Sequence, residues 1–179
     1  TVCYNEEKML PHFLNHYLKI ANRIVIHDNY STDRSVEIAK SYPNVEVEYY
    51  DTNNLLKDTE LLRIKNNCWK NDKSDYSIVC DVDEFLYSTD LCQFLTDKQD
   101  FDCFKLTGYQ MISDTFPDND SIPLTEQVYC GNIDNRYSKT ILFRSTIKSI
   151  NYTGFSKSSR NYKCNHIAKL GSTIKEFYC

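Results

Sequence analysis

The sequence predicts an α/β fold whose central sheet is mostly parallel and carries helices on both faces. Short apolar strands alternate with amphipathic helices through the first half of the chain, with strands at 23–27, 45–50 and 76–80. Each connection between them holds a helical pattern, which suits a return to a parallel neighbour. The run at 76–80 is apolar enough to be buried on both faces. Such sheets bind ligands outside the carboxyl ends of their strands.

The helices are predicted from apolar residues spaced three and four positions apart. The first covers 6–21, with Met9, Phe13 and Tyr17 on its apolar face and Asn5 as its N-cap. Two more are predicted over 34–40 and 58–70. Beyond residue 88 strands predominate, at 101–106, 109–112, 139–144 and 149–152, around a polar loop over 113–123.

Composition narrows the class of protein. A chain of 179 residues is expected to form one domain, and it is expected to be a fragment of a longer protein. The net charge of −4 argues against a nucleic-acid partner, and no apolar run in this chain reaches the ~18 residues of a transmembrane segment. The eight cysteines form no CxxC pair. We therefore expect reduced thiols in a cytoplasmic protein, either free or peripheral to a membrane.

Three acids stand directly after the apolar run at 76–80. Asp81 and Asp83 are two residues apart, so in an extended chain their carboxylates point to the same side, and Glu84 points to the other. Crowded carboxylates repel one another unless a cation or a donor compensates them. The sequence therefore predicts a ligand or cation site at Asp81 and Asp83, with Glu84 holding the turn or a neighbouring basic residue.

Two further strand ends carry polar residues to the same rim. Tyr4-Asn5-Glu6-Glu7 follows the first strand, and Asp28-Asn29-Tyr30-Ser31-Thr32-Asp33 follows the second. Together with Asp81-Val82-Asp83-Glu84-Phe85-Leu86 they resemble the three motifs of glycosyltransferase family 2, in its bacterial and viral branch of small GT-A domains. The stretches 108–117 and 137–143 resemble that branch as well, so the resemblance covers nearly the whole chain.

The resemblance implies a Rossmann-like GT-A fold over 1–179, with a nucleotide-sugar-binding half (1–87) and an acceptor-side half (88–179). It implies a metal-dependent transferase that moves a sugar, with inversion, from a nucleotide-sugar donor to an acceptor. A UDP-sugar is the first choice of donor. The acceptor is unknown and is a glycan, a protein or a lipid-linked molecule.

The resemblance also implies roles for individual residues. The donor-binding set is Tyr4, Glu6, Asp28, Asn29, Arg63 and Asp81. Asp28 would bind the base, with Asn29 where many members carry a second Asp. Asp81 would face the ribose and the metal, and Asp83 would hold a divalent cation, Mn²⁺ or Mg²⁺, as a hard oxygen ligand. His166 is a candidate for a further metal ligand. Arg63 and its neighbour Lys65 are candidate diphosphate contacts, although an exposed helix face explains them equally well.

A general base is needed because an alcohol is a poor nucleophile at neutral pH. Asp114 is the first candidate and Glu126 the second; a loop Asp that caps a turn is an equally good explanation of Asp114.

Two other functions stay open. The segment after 151–152 reads Gly154-Phe155-Ser156 where many relatives carry Gly-x-His, so a degenerate nucleotide-sugar-binding or structural domain is the main alternative. A phosphotransferase of the haloacid dehalogenase type also carries Asp-x-Asp after a strand. Its acids normally follow the first strand, however, and here they follow the fourth.

Overall fold

The structure is a computed structural model that describes residues 1–53, 55–147 and 149–152, together with the backbone of 161–163 and 167–177. The described helices are α1 (Leu10–Tyr17), α2 (Ser35–Lys40), α3 (Asp58–Lys65), α4 (Leu91–Asp97) and α5 (Leu124–Gln127), with a 3-10 turn at Asn135–Tyr137. The described strands are β1 (Val2–Cys3), β2 (Ile24–Asp28), β3 (Val45–Tyr49), β4 (Tyr76–Ile78), β5 (Glu84–Leu86), β6 (Cys103–Ile112), β7 (Cys130–Ile133), β8 (Leu142–Arg144), β9 (Ser149–Asn151), β10 (Asn161–Lys163) and β11 (Ile167–Phe177).

The first sheet is parallel, with its strands in the order β1-β2-β3. Cys3 pairs with Asp28, and Asp28 pairs with Tyr49, so the carboxyl ends of all three strands lie at one edge. Helix α1 buries Leu10 and Phe13 on its inner face, as its apolar spacing predicts. The β-α alternation of the first fifty residues is therefore confirmed.

Helix α1 begins later than the sequence predicts. Asn5 adopts φ 56°, a left-handed conformation that Asn tolerates better than most residues, and its side-chain carbonyl accepts a hydrogen bond from Thr32 N at 2.8 Å. The Glu6 N–H donates to Ser35 Oγ at 2.7 Å. These residues fasten two loops together, so the helix starts at Leu10 and the prediction of Asn5 as its N-cap is wrong.

The second sheet has the strand order β4-β8-β6-β11-β5, and β7 also pairs with β6. Strands β6 and β11 are parallel, and the other pairs in this sheet are antiparallel. Strand β4, which precedes the acidic residues, pairs antiparallel with β8 at Ser77 and Phe143. The α/β class is as predicted. Among the described strands, parallel pairing occurs within β1-β2-β3 and between β6 and β11, while β4 and β5 pair antiparallel with strands of the second half.

Two buried clusters form the core. The larger one joins α1 to both sheets and includes Leu14, Phe85 and Leu106. The smaller one surrounds Trp69 and Phe143, whose rings meet edge to face at 5.1 Å. Val79 lies in the smaller cluster and Cys80 in the larger one, as expected for neighbours on opposite faces of an extended chain.

Within the described ranges, no helix combines the length and the apolar character that a membrane crossing requires. Six cysteines of these ranges are free thiols: Cys3, Cys68, Cys80, Cys92, Cys103 and Cys130.

His27 gives the fold a predictable pH dependence. Burial, then the charges of the N-terminus and Arg63, lower the pKa of His27 to about 4, and its Nδ1 lies 3.2 Å from a carboxylate oxygen of Glu48. Because His27 of the unfolded chain takes up a proton near pH 6.5, stability falls as the pH drops from about 6.5 to about 4. When the pH is lowered from 7 to 5, the unfolding free energy of the wild type should fall by roughly 1 to 2 kcal/mol more than that of His27→Gln. Urea titrations at the two pH values measure both. Equal losses in the two proteins would contradict this.

Gly108 in β6 is predicted to be intolerant of a side chain. A Cβ at this position would lie 2.2 Å from the carbonyl carbon of Tyr137 and 2.6 Å from the backbone nitrogen of Ser138. Since backbone atoms cannot move aside cheaply, Gly108→Ala should destabilise the protein by about 1 to 3 kcal/mol in chemical denaturation. The exposed Lys105 of the same strand supplies the control Lys105→Ala. Equal midpoints for the two variants would show that the approach of the 3-10 turn to β6 is not tight.

Candidate functional site

The candidate site lies at the edge where β1, β2 and β3 end. The loop after β1 and the loop after β2 are joined by the hydrogen bonds of Asn5 and Glu6, and Ser31 Oγ accepts from Asn5 N at 2.9 Å. Tyr4 is 42% exposed on the first of these loops. Two of the three predicted motifs therefore form one connected rim.

Asp28 is buried beneath this rim. It is 1% exposed, and its two carboxylate oxygens accept from Ser31 N at 2.9 Å and Ser31 Oγ at 2.6 Å. A carboxylate retains further lone pairs after two such bonds. The described contacts of Asp28 nevertheless show that it shapes the loop after β2.

The side-chain amide of Asn29 also makes hydrogen bonds within the protein. Its amide donates to Thr52 Oγ1 at 2.8 Å, and its carbonyl accepts from Thr52 N at 3.1 Å. The pair connects the end of β2 to the segment after β3. Asn29 therefore holds the rim together where the sequence predicts a donor contact.

The acidic turn, defined as residues 81–84, is closed by reciprocal hydrogen bonds. Glu84 N donates to the Asp81 carbonyl at 3.1 Å, and Asp81 N donates to Glu84 Oε2 at 3.1 Å. The other carboxylate oxygen of Glu84, which is 1% exposed, forms an ion pair with Lys139. The prediction that Glu84 holds the turn and a basic residue is confirmed.

The other two carboxylates of the acidic turn, those of Asp81 and Asp83, have different surroundings. Asp81 forms an ion pair with Lys65 of α3. Burial, followed by the charges of Asp81 and Glu84, raises the pKa of Asp83 to about 7. Burial also raises the pKa of Glu6, with contributions from Asp33 and Asp81. Glu6, Asp81 and Asp83 are therefore close enough to repel one another.

This donor set suits a divalent cation that also binds phosphates. Magnesium-type ions are commonly held by one or two carboxylates, with substrate oxygens and water completing the shell. Asp81 and Asp83 supply such a pair, and the pKa of Asp83 is raised by burial first and then by the neighbouring charges of Asp81 and Glu84. In the portion of the chain that the structure describes, no group of three or more His, Cys, Asp or Glu side chains forms a metal site by itself. His166, the third predicted ligand, lies outside the described residues.

Three other predicted residues are exposed: Arg63, Asp114 and Glu126. Arg63 Nε donates to Glu60 at 2.7 Å on the exposed face of α3, as a solvated helix face predicts. Asp114 is exposed directly after β6, and Glu126 is exposed on α5. The rim thus brings together Glu6, Asp28, Asp81 and Asp83 from the predicted set.

Tyr50 belongs to the rim and was missed by sequence reasoning. Its N–H donates to the Asp28 carbonyl at 3.0 Å. Burial and the nearby Cys3, Asp28 and Asp81 raise the pKa of Tyr50 to about 12, so its hydroxyl lies between the ends of two motifs. Its position directly after β3 was the available signal, because that strand ends at the same edge.

The buried pair of Glu84 and Lys139 generates a stability prediction. Lys139→Met leaves a buried carboxylate without its cation, which costs about 3 to 5 kcal/mol in comparable pairs. Glu84→Gln in the same chain removes the stranded charge while an amide oxygen can still accept from Asp81 N, so the double variant should recover part of the loss. Urea denaturation measures both, with the exposed Lys105→Met as control. A double variant no more stable than Lys139→Met would contradict the pairing.

Comparison with known proteins agrees with this architecture. A family model described as glycosyl transferase family 2 matches residues 1–168. The crystal structure of S. aureus TarS 1–349 in complex with UDP superposes with a TM-score of 0.60 at 16% identity, covering 99% of this chain and 59% of that one. A second structure of TarS 1–349 gives 0.60 at 15% identity, covering 98% and 58%.

The chain therefore spans less than two thirds of the TarS chains it resembles. No curated protein matches it in sequence. The likeness to TarS confirms the predicted GT-A fold. Because the family match covers most of the sequence, the chain belongs to glycosyl transferase family 2.

Proposed function

We propose that this domain binds a nucleotide-sugar donor at the rim and transfers its sugar, with inversion, to an acceptor hydroxyl. A UDP-sugar is the proposed donor, since the TarS structure with the same fold binds UDP. The acceptor is a glycan, a protein or a lipid-linked molecule. The free thiols of the described cysteines support a cytoplasmic location, where disulfides are rare.

One observation carries the proposal: the charge balance around the acidic turn. Glu6, Asp81, Asp83 and Glu84 place four carboxylates close together, and two ammonium groups, those of Lys65 and Lys139, are paired with them. The carboxylates of Glu6 and Asp83 both have raised pKa values, so a divalent cation bound beside them would stabilise their charged forms. A cation held in this way also binds a diphosphate, which is the group that distinguishes nucleotide-sugar donors.

The residues have separable proposed roles. Asp81 and Asp83 hold Mn²⁺ or Mg²⁺, and Glu84 keeps their backbone in place. The cation supplies Lewis-acid stabilisation of the leaving nucleoside diphosphate. Asp28, Asn29 and Tyr50 shape the base-binding end of the rim, with Tyr4 and Glu6 on the neighbouring loop.

The transfer itself is a single displacement at the anomeric carbon. The acceptor oxygen forms a bond to this carbon as the bond to the phosphate oxygen breaks, and the electron pair leaves with the diphosphate. The acceptor proton passes to a carboxylate, for which Asp114 remains the first candidate and Glu126 the second. Both are exposed, which leaves them accessible to an acceptor.

A second candidate function is favoured by the ion pair of Lys65 with Asp81. An ammonium on the first acid of the turn partly replaces the cation. A domain using this pair would bind a nucleotide sugar without turning it over. Metal-dependent release of UDP distinguishes the two functions.

The experiment measures UDP released from a panel of UDP-sugars, with Mn²⁺, with Mg²⁺ and with a chelator. The wild type should release UDP only with a divalent cation. Asp83→Asn should lower this rate by about 100-fold, the order expected when a group that stabilises developing charge is removed. The exposed Asp100→Asn makes the same chemical change elsewhere and should leave the rate unchanged.

Two outcomes would count against the enzyme. UDP binding without metal-dependent turnover would establish the second candidate. Equal rates for Asp83→Asn and the wild type would show that the acidic turn does not hold the cation.

A further inference from the structure

The hydroxyl of Tyr17 on α1 is bonded to the strand that leaves the acidic turn. It donates to the Glu84 carbonyl at 2.9 Å and accepts from Leu86 N at 3.0 Å, and the side chain of Tyr17 is 2% exposed. Both bonds are to backbone atoms of β5. They fix the position of the backbone, whichever side chains β5 carries.

The same hydroxyl also reaches the residue that enters the turn. The thiol of Cys80 contributes to the raised pKa of Tyr17 and therefore lies near its hydroxyl, and both side chains are buried. Cys80 directly precedes Asp81, and Glu84 directly follows Asp83. One oxygen atom of α1 therefore binds the chain after the two acids and lies near the residue before them.

His16 contributes a second attachment from the same helix. Its Nε2–H donates to the Leu86 carbonyl at 2.8 Å, and its ring packs edge to face on Phe85 with 5.3 Å between centroids. Burial lowers the pKa of His16, so the ring is neutral and Nε2 carries its proton. Both backbone groups of Leu86 are thus bound by side chains of α1.

Glu84 takes part both in the contacts from α1 and in the hydrogen bonds inside the acidic turn. Glu84 is held through its carbonyl by Tyr17 and through its carboxylate by Lys139 and the Asp81 N–H. A displacement of β5 would break several of these bonds together. The separation of the Asp81 and Asp83 carboxylates therefore depends on a buried hydroxyl of α1.

We propose that Tyr17 is a positioning residue for the cation-binding acids of the turn. It touches neither donor nor cation. It acts through the backbone of Glu84 and Leu86, and its removal should weaken cation-assisted binding of the diphosphate, since small displacements of such groups are costly. This inference rests on the proposed binding of a nucleotide-sugar donor at the rim.

The test compares Tyr17→Phe with Tyr42→Phe. Tyr42 packs against the larger core cluster and its hydroxyl donates to Asn15 Oδ1 at 3.3 Å, so this control loses the same atom from a bond that involves neither β5 nor the acidic turn. Calorimetry measures UDP affinity of the folded proteins with and without Mn²⁺. Hydrogen exchange measures protection of the Asp81 amide.

Tyr17→Phe should lower UDP affinity about tenfold with Mn²⁺ and less than twofold without it, and it should speed exchange at Asp81. Tyr42→Phe should change neither quantity. Equal Mn²⁺-dependent affinity in Tyr17→Phe and the wild type, or an equal loss in both variants, would overturn the inference alone. A wild type that binds no UDP would overturn the proposed function and this inference with it.

His16 provides the second pair of variants, which decides the matter if Tyr17→Phe does not fold. His16→Gln retains an N–H donor for the Leu86 carbonyl, and His16→Leu does not. We expect the Mn²⁺-dependent affinity to fall in His16→Leu and to be retained in His16→Gln. Equal affinities in these two variants would overturn the inference.

Discussion

The ion pair between Glu84 and Lys139 is the interaction on which the candidate site depends. Glu84 is almost fully buried, and an unpaired carboxylate there would be costly. Its second oxygen accepts the Asp81 N–H, so the pair also closes the acidic turn. Lys139 comes from the second half of the chain and Asp81 from the first. A single buried carboxylate therefore joins the two halves and fixes the backbone that carries the proposed cation ligands.

In this arrangement some acids hold the structure together, and others remain available to bind a cation. Glu84 is used entirely in holding the turn, and Asp28 is bonded to Ser31 beneath the rim. Asp83 is left with a pKa of about 7 because its surroundings are both buried and negative. A divalent cation would relieve this repulsion, which is why binding of a metal and a diphosphate is the function that the charges favour. Lys65 neutralises only part of the excess.

The sequence predicted the parts of the site that depend on strand periodicity. Asp81 and Asp83 follow an apolar run, as predicted, but residues 81–84 form a turn rather than an extended chain, and the Glu84 carboxylate accepts from the Asp81 N–H. The family resemblance was equally sound, since its motifs span residues that the family model matches. These predictions depend on neighbours in the sequence, so local rules were sufficient.

Predictions that depend on distant partners were less successful. The side chain of Asn5 binds Thr32 and leaves the N-terminus of α1 uncapped, and the bond between the amide of Asn29 and Thr52 was not predicted. The antiparallel partner of β4 comes from a strand some 65 residues later, which no local pattern reveals. Tyr50 was overlooked because aromatic residues at a strand end look like core.

The central claim is that Asp81 and Asp83 hold a divalent cation against a diphosphate. Crystals soaked with UDP and Mn²⁺ test it directly, because anomalous scattering locates manganese independently of the protein atoms. The account predicts a manganese peak bound by Asp83 and the diphosphate at the rim. A diphosphate resting on Lys65 with no manganese beside it, or UDP bound elsewhere on the domain, would contradict the account.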